Sequence, residues 1–127
     1  MANSIKLLSV IVSTYNWPEA LAVVLASLAL QTDQRFEVII ADDGSTAATT
    51  ALLAGLAADY PVRLAHVRQD DRGFRAAAAR NRAVAESRGD YLLFLDGDCA
   101  VLPDFTATHR RLAEPGWFVA GNRILLS

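Results

Sequence analysis

Asp96 and Asp98 stand two residues apart in the stretch "YLLFLDGDCA", with only Gly97 between them. The residues before them, from Tyr91 to Leu95, are apolar. Two carboxylates a few ångströms apart repel unless a cation neutralises them or one takes up a proton. In isolation an Asp-Gly pair is a common solvated turn. At the end of a buried strand the pair reads instead as a site for a hard divalent cation, Mg²⁺ or Mn²⁺. Such ions take oxygen ligands and complete their shell with phosphate and water. Glycine at position 97 permits the tight turn that would bring the two side chains together.

A second acidic pair occurs in "IIADDGST". Asp42 or Asp43 can cap the helix that follows, leaving the other to accept a hydrogen bond from a ligand. A carboxylate facing an imide N–H would select uracil over a base that offers an acceptor there. "VSTYN" adds the hydroxyls of Ser13 and Thr14 and the ring of Tyr15, which reads equally as a flank for a planar base or as a core aromatic. The stretch "RQDDRGFRAAAARNR" carries Arg68, Arg72, Arg75, Arg80 and Arg82. On a helix Arg75 and Arg82 share a face and Arg80 points elsewhere. Most of these are surface charges, but one or two near the helix start are suited to a diphosphate. His66 and His109 are isolated in sequence and read as structural.

These groups need elements to hold them. Short apolar runs over Leu7–Val12, Phe36–Ala41, Val62–Val67, Tyr91–Leu95 and Trp117–Ala120 predict strands buried on both faces, as in a parallel sheet. Helical segments lie between them. Asn16 is placed to cap a first helix, with Glu19 at capping-box spacing and Pro18 in the first turn, running to about Gln31. Ser45 is placed to cap a second helix carrying Leu52, Leu53 and Leu56. The third is "FRAAAARNRAVAESRG", with four alanines allowing close approach to the sheet and Gly89 as its stop. A fourth starts after Pro103 and ends before Pro115. The alternation predicts an α/β, Rossmann-like, mostly parallel open sheet flanked by helices, joined by right-handed crossovers. In such a sheet ligands bind beyond the carboxyl ends of the strands. All the acidic and hydroxyl groups named above fall at those ends.

The 127 residues suit one domain, 53% are apolar, and the net charge is −2. That charge argues against a nucleic-acid surface built on bulk positive charge. The single cysteine, Cys99, excludes an intrachain disulfide and a cysteine-based zinc site, and fits a reducing compartment. No apolar run is long enough for a signal peptide or a membrane span. The expectation is a cytoplasmic domain, with peripheral contact at the inner membrane left open.

Taken together, "SVIVSTYN", "FEVIIADDGST", "AARNRAV" with "RGDYLLFLDGD", and "LPDF" resemble the family 2 glycosyltransferases, enzymes of GT-A fold that use nucleotide-activated sugars. The likeness runs over nearly the whole chain in the family's motif order, and the tail "GWFVAGNRILLS" resembles a bacterial branch acting on cell-surface polysaccharide. The resemblance implies nucleotide contacts for Ser13, Thr14 and Tyr15 and a uracil contact for Asp43. It implies ribose and diphosphate–metal contacts for Asp96 and Asp98. It matches Arg75 and Arg80 only loosely to nucleotide-binding positions.

It further implies a UDP-sugar donor, Mn²⁺ or Mg²⁺ as cofactor, and inverting transfer to a saccharide or lipid-linked acceptor. Family members carry an acceptor-binding half with a carboxylate base, and no Asp or Glu follows Glu114 here. Residues 1–127 are therefore expected to be the donor-binding half, with the base beyond Ser127, and exposed apolar surface open to dimerisation. Two other readings fit less well. A nucleotidyltransferase would carry a glycine-rich basic loop where "VSTYNWPEA" stands. A receiver domain would need an acidic pair after its first strand and a lysine near its last, whereas Lys6 is the only lysine.

Overall fold

The computed structural model describes residues 5–124. Eight elements alternate along them: β1 (Leu8–Thr14), α1 (Pro18–Ala29), β2 (Phe36–Asp42), α2 (Ala47–Ala57), β3 (Leu64–Arg68), α3 (Ala76–Glu86), β4 (Tyr91–Asp96) and α4 (Phe105–Leu112). The four strands form one parallel sheet in the order β3-β2-β1-β4. The sheet is thus wound outward in both directions from β1. The predicted α/β class and parallel topology hold.

Strand β2 is buried at every position and β1 at all but Ser13. Their side chains feed two cores because successive residues point to opposite faces. On one face Val10, Val12, Val38 and Ile40 meet Leu21, Val24, Leu25 and Leu28 of α1 and Leu53 of α2. The α1 residues recur at i, i+3, i+4 and i+7, the spacing of one helix face. Each such leucine taken from water contributes about 1.5–3 kcal/mol. On the other face Ile11, Ile39 and Ala41 pack against Ala79 and Ala83 of α3. The small side chains let that helix lie close to the sheet, as the alanine run suggests.

The edge strands depart from expectation. β3, at one edge of the sheet, has no fully buried residue, and β4, at the other, has only one, Leu93; α3 packs against β1, β2 and β3 rather than β4. Phe94 consequently remains 57% exposed. Residues 117–120 form no strand: the predicted fifth strand is irregular backbone, with Trp117 and Phe118 exposed and no strand paired alongside among the described residues.

The predicted caps also differ. Pro18 does open α1, but its N-cap is Trp17, without a side-chain bond. Asn16 takes a positive φ of 48° and accepts the Thr46 N–H on its Oδ1, while its own N–H donates to Ser45 Oγ. Asn16 and Ser45 thus tie the β1–α1 and β2–α2 turns to each other rather than capping helices. Helix α3 ends at Glu86 with Ser87 as its C-cap, so Gly89 is not the stop. Gly89 instead donates its N–H to Ser9 Oγ. Helix α4 lies between Pro103 and Pro115 as expected.

At the amino edge of the sheet two buried charges are fully engaged. Glu37 accepts Ser9 Oγ–H and the Arg88 N–H on Oε2, and the Arg63 guanidinium on Oε1, each at 2.6 Å. Arg110 donates to Asp33 and to the carbonyls of Ile5 and Arg35. These knots close the end of the sheet opposite the chemistry.

Candidate active site at the carboxyl edge

Parallel pairing puts the ends of the strands side by side. Ser13 is in register with Asp96, Thr14 with Asp42, and Asp42 with Arg68. The candidate residues are therefore collected by the sheet itself, as its topology requires.

Beyond β4 the chain turns tightly, with the Cys99 N–H donating to the Asp96 carbonyl at 3.1 Å. This folds Asp98 back beside Asp96. Their carboxylate oxygens and the Cys99 sulfur all lie within 4.8 Å of one another, with both aspartates exposed. Gly97 is demanded by proximity: a β-carbon there would sit 2.4 Å from the Ser13 carbonyl oxygen. The carboxylate pair suits a hard divalent cation that keeps positions open for phosphate and water. The Cys99 thiol beside the pair is a soft donor and a poor match for Mg²⁺ or Mn²⁺; burial, and then the neighbouring Asp98, push its pKa up.

The second acidic pair divides its labour. Asp42 is fully buried, and its Oδ1 accepts the N–H groups of Gly44 and Ser45, shaping the turn before α2. Its Oδ2 lies 2.7 Å from His66 Nε2. Burial pushes the Asp42 pKa up, but the bonds from His66 and Ser45 outweigh it and the carboxyl titrates below its ordinary value. Asp42, not Asp43, is thus the structural member, and His66 is its partner.

Asp43 is held by a different set. Gln69 Nε2 donates to Oδ1 at 2.8 Å and the Arg75 N–H to Oδ2 at 2.8 Å. Gln69 also donates to the Arg75 carbonyl. The β3–α3 loop is thereby fastened over Asp43, which is 5% exposed. Each carboxylate oxygen retains a second lone pair for a ligand. Gln69 was not singled out from the sequence; only its place at the end of a strand, next to an acidic pair, pointed to it. The same loop crosses Gly44, whose φ is 101° and where a β-carbon would sit 2.5 Å from the Asp71 backbone, leaving no room for a side chain.

Tyr15 is 50% exposed and so is not a core aromatic. Its hydroxyl donates to Asp71 Oδ2, which raises its pKa. Ser13 is half-buried next to Asp96, and Thr14 is buried beside Asp42. Of the arginines, Arg75 and Arg82 line one cleft with Arg68 and Arg72, whereas Arg80 is not part of that lining. Arg75 is the N-cap of α3 rather than a helical residue, yet it lines the same cleft as Arg82.

The arrangement matches known proteins. The family model described as glycosyl transferase family 2 covers residues 9–124. The chain is 39% identical over 107 residues to the uncharacterized glycosyltransferase YfnE of Bacillus subtilis, covering 84% of this chain and 26% of that protein. It is 38% identical to the hyaluronan synthase of Pasteurella multocida, again over 84% of this chain but 11% of the relative. Among solved structures, S. aureus TarS in complex with UDP-GlcNAc superposes with a TM-score of 0.71 at 28% identity, covering 80% of this chain and 29% of that one. The mannosyltransferase PcManGT of Pyrobaculum calidifontis, in complex with GDP-Man and Mn²⁺, gives a TM-score of 0.76 at 26% identity, covering 87% and 33%. The chain spans less than a third of the length of these proteins, apart from the last, of which it spans a third. Among the described residues no helix is long and apolar enough to cross a membrane. On this sheet, these motifs and the match over residues 9–124, the chain belongs to glycosyl transferase family 2.

Proposed function

We propose that this chain is the donor-binding part of a glycosyltransferase that takes a UDP-sugar together with Mn²⁺ or Mg²⁺. The observation that carries this reading is the Asp96–Asp98 pair, folded together beyond β4 and in register with Ser13 of β1. Asp96 and Asp98 would hold the cation, with Asp96 also close enough to the edge to meet the ribose. When bound, the cation offsets charge developing on the departing diphosphate. Ser13, Thr14 and Tyr15 would contact the nucleoside, and Asp43 would accept the imide N–H of uracil through its remaining lone pairs. Arg75 and Arg80 match nucleotide-binding positions only loosely: the Arg75 N–H is bound to Asp43 while its side chain lines an arginine cleft, and Arg80 lies further along α3.

The relatives support the reaction class: among them are a hyaluronan synthase, and structures holding UDP-GlcNAc or GDP-Man with Mn²⁺. The full reaction would be inverting transfer to a saccharide or lipid-linked acceptor, in keeping with polysaccharide assembly at the cytoplasmic side of a bacterial membrane. Its carboxylate base would belong to the acceptor-binding half.

Calorimetric titration of UDP, CDP, ADP and GDP, each with and without Mn²⁺, tests the reading. UDP should bind best, and Mn²⁺ should strengthen it. Asp98→Asn should cut the ratio of affinities with and without metal at least tenfold. An unchanged ratio in Asp98→Asn would place the metal elsewhere.

A further inference from the structure

Arg68, Arg72, Arg75 and Arg82 line a cleft of about 310 Å³ with Gln69 and Asp70, beside β3 and along α3. Four guanidiniums against one carboxylate leave a formal +3, on a chain whose net charge is −2. Such concentration of one sign focuses the field and raises the local concentration of anions.

The arginines are not spent on each other's neutralisation. Asp70 is the only carboxylate they share, 3.9 Å from Arg68 and 3.8 Å from Arg72, and it is 76% exposed. Exposed pairs at such distances hold little energy. Arg68 is fixed from behind, its Nε donating to the Ser45 carbonyl at 3.0 Å. Arg75 and Arg82 have no carboxylate within 4 Å among the described residues. Arg75 is the N-cap of α3 and Arg82 lies two turns further on, so the cleft runs along the start of the helix by about 10 Å. Its volume holds on the order of ten waters at ~30 Å³ each, room for a multivalent oxyanion.

The cleft lies at the β3 edge of the sheet, next to Asp43 through Gln69 and Arg75 but away from Asp96 and Asp98 at the end of β4. In the order β3-β2-β1-β4, β3 and β4 are the two edges, about 14 Å apart at three strand spacings. A nucleotide whose base sits at Asp43, just after β2, and whose phosphates reach Asp96 and Asp98, at and beyond the end of β4, would extend away from β3. We propose that the arginine cleft is a second anion site, which takes a phosphate-bearing ligand other than the donor. Guanidinium groups present paired N–H donors that match phosphate oxygens. A phosphorylated soluble saccharide and the headgroup of an anionic lipid share this chemistry.

The test uses inorganic pyrophosphate without divalent cation, titrated into wild type, Arg72→Ala, Arg82→Ala and Asp98→Asn. Both arginines are exposed, so their variants should fold, which melting temperature checks. The expected result is pyrophosphate binding that weakens about tenfold in each arginine variant and survives in Asp98→Asn. UDP–Mn²⁺ binding should be unchanged in Arg82→Ala. Vesicles of phosphatidylglycerol, against phosphatidylcholine, then separate the sources. Adsorption lost in Arg82→Ala assigns the site to a lipid headgroup, and no adsorption alongside intact pyrophosphate binding assigns it to a soluble ligand. Pyrophosphate binding that ignores both arginine variants would overturn the proposal. So would binding abolished by Asp98→Asn, or a parallel loss of UDP–Mn²⁺ binding in Arg82→Ala, since either makes the cleft part of the donor site.

Discussion

The Tyr15 hydroxyl donates a 2.7 Å hydrogen bond to Asp71 Oδ2, joining the loop after β1 to the loop before α3. Asp71 in turn has its backbone against Gly44. The β3–α3 loop is therefore pinned at three places: by Tyr15, by Gly44, and by the Gln69 and Arg75 bonds to Asp43. Of these only the tyrosine bond is exposed, where water competes for both partners. Tyr15→Phe keeps the ring and removes the bond. Amide exchange across residues 70–75 should accelerate about two- to tenfold, while the melting temperature stays put. Hydrogen exchange read by mass spectrometry checks both the rate and its confinement to this loop.

Asp43 carries two roles that one substitution can separate. Alanine would orphan the Gln69 amide and the Arg75 N–H, each costing about 1–3 kcal/mol, and any loss of nucleotide binding would then be ambiguous. Asp43→Asn retains an acceptor oxygen but presents an amide donor on the other side. It should lower stability by about 1–2 kcal/mol and remove most of the preference for UDP over CDP. Binding panels at a temperature well below unfolding measure the preference. A variant that keeps full uridine preference would leave Asp43 with the loop alone.

Much of this organisation was readable before any coordinates. The alternation of apolar runs with helical segments gave the parallel sheet, and a parallel sheet necessarily gathers its loops at one edge. What stayed hidden were choices made across the chain. Nothing local distinguishes Asp42 from Asp43; the assignment depends on His66, which β3 brings within 2.7 Å of Asp42, and on Gln69. Asn16 and Ser45 are good capping residue types, but each found a stronger partner in the other's turn. The run Trp117–Ala120 has strand composition, yet a strand needs a neighbour to bond, and none lies alongside it among the described residues. Glu37 in the apolar run "FEVII" was the overlooked signal: a charge inside a buried strand implies partners, here Ser9, Arg63 and the Arg88 N–H.

Gly97 sets the spacing of the acidic pair. The β-carbon of Gly97→Ala would fall 2.4 Å from the Ser13 carbonyl oxygen and 3.3 Å from Thr14 Cβ. The backbone cannot yield there without disturbing the β1–β4 ladder. The variant should lose about 1–3 kcal/mol and splay Asp98 from Asp96. Mn²⁺-dependent strengthening of UDP binding should drop more than metal-free binding does, which paired titrations with and without Mn²⁺ will show.

His109 offers a pH test at a distance from the site. It packs edge-on against Phe105, with ring centroids 4.8 Å apart, and its buried Nδ1 has no hydrogen-bond partner. Burial disfavours the imidazolium and lowers the pKa below its ordinary value near 6.5. The sign follows directly. As pH falls through about 6.5 the unfolded chain takes up a proton that the folded chain refuses, so stability declines. The decline is complete only once pH passes the lower, folded-state value. Half-buried Asp33 and buried Glu37 and Asp42, all titrating below their ordinary values in the fold, add their own losses later, below about pH 4. His109→Leu removes both the orphaned nitrogen, worth about 1–3 kcal/mol, and the ring contact, worth about 0.5–1.5 kcal/mol. At pH 7.5 the variant should therefore be more stable by about 0.5–1.5 kcal/mol. Between pH 7.5 and 5.5 it should also lose less stability than wild type. Urea unfolding at the two pH values measures the difference, and equal losses in both proteins would show that His109 titrates normally in the fold.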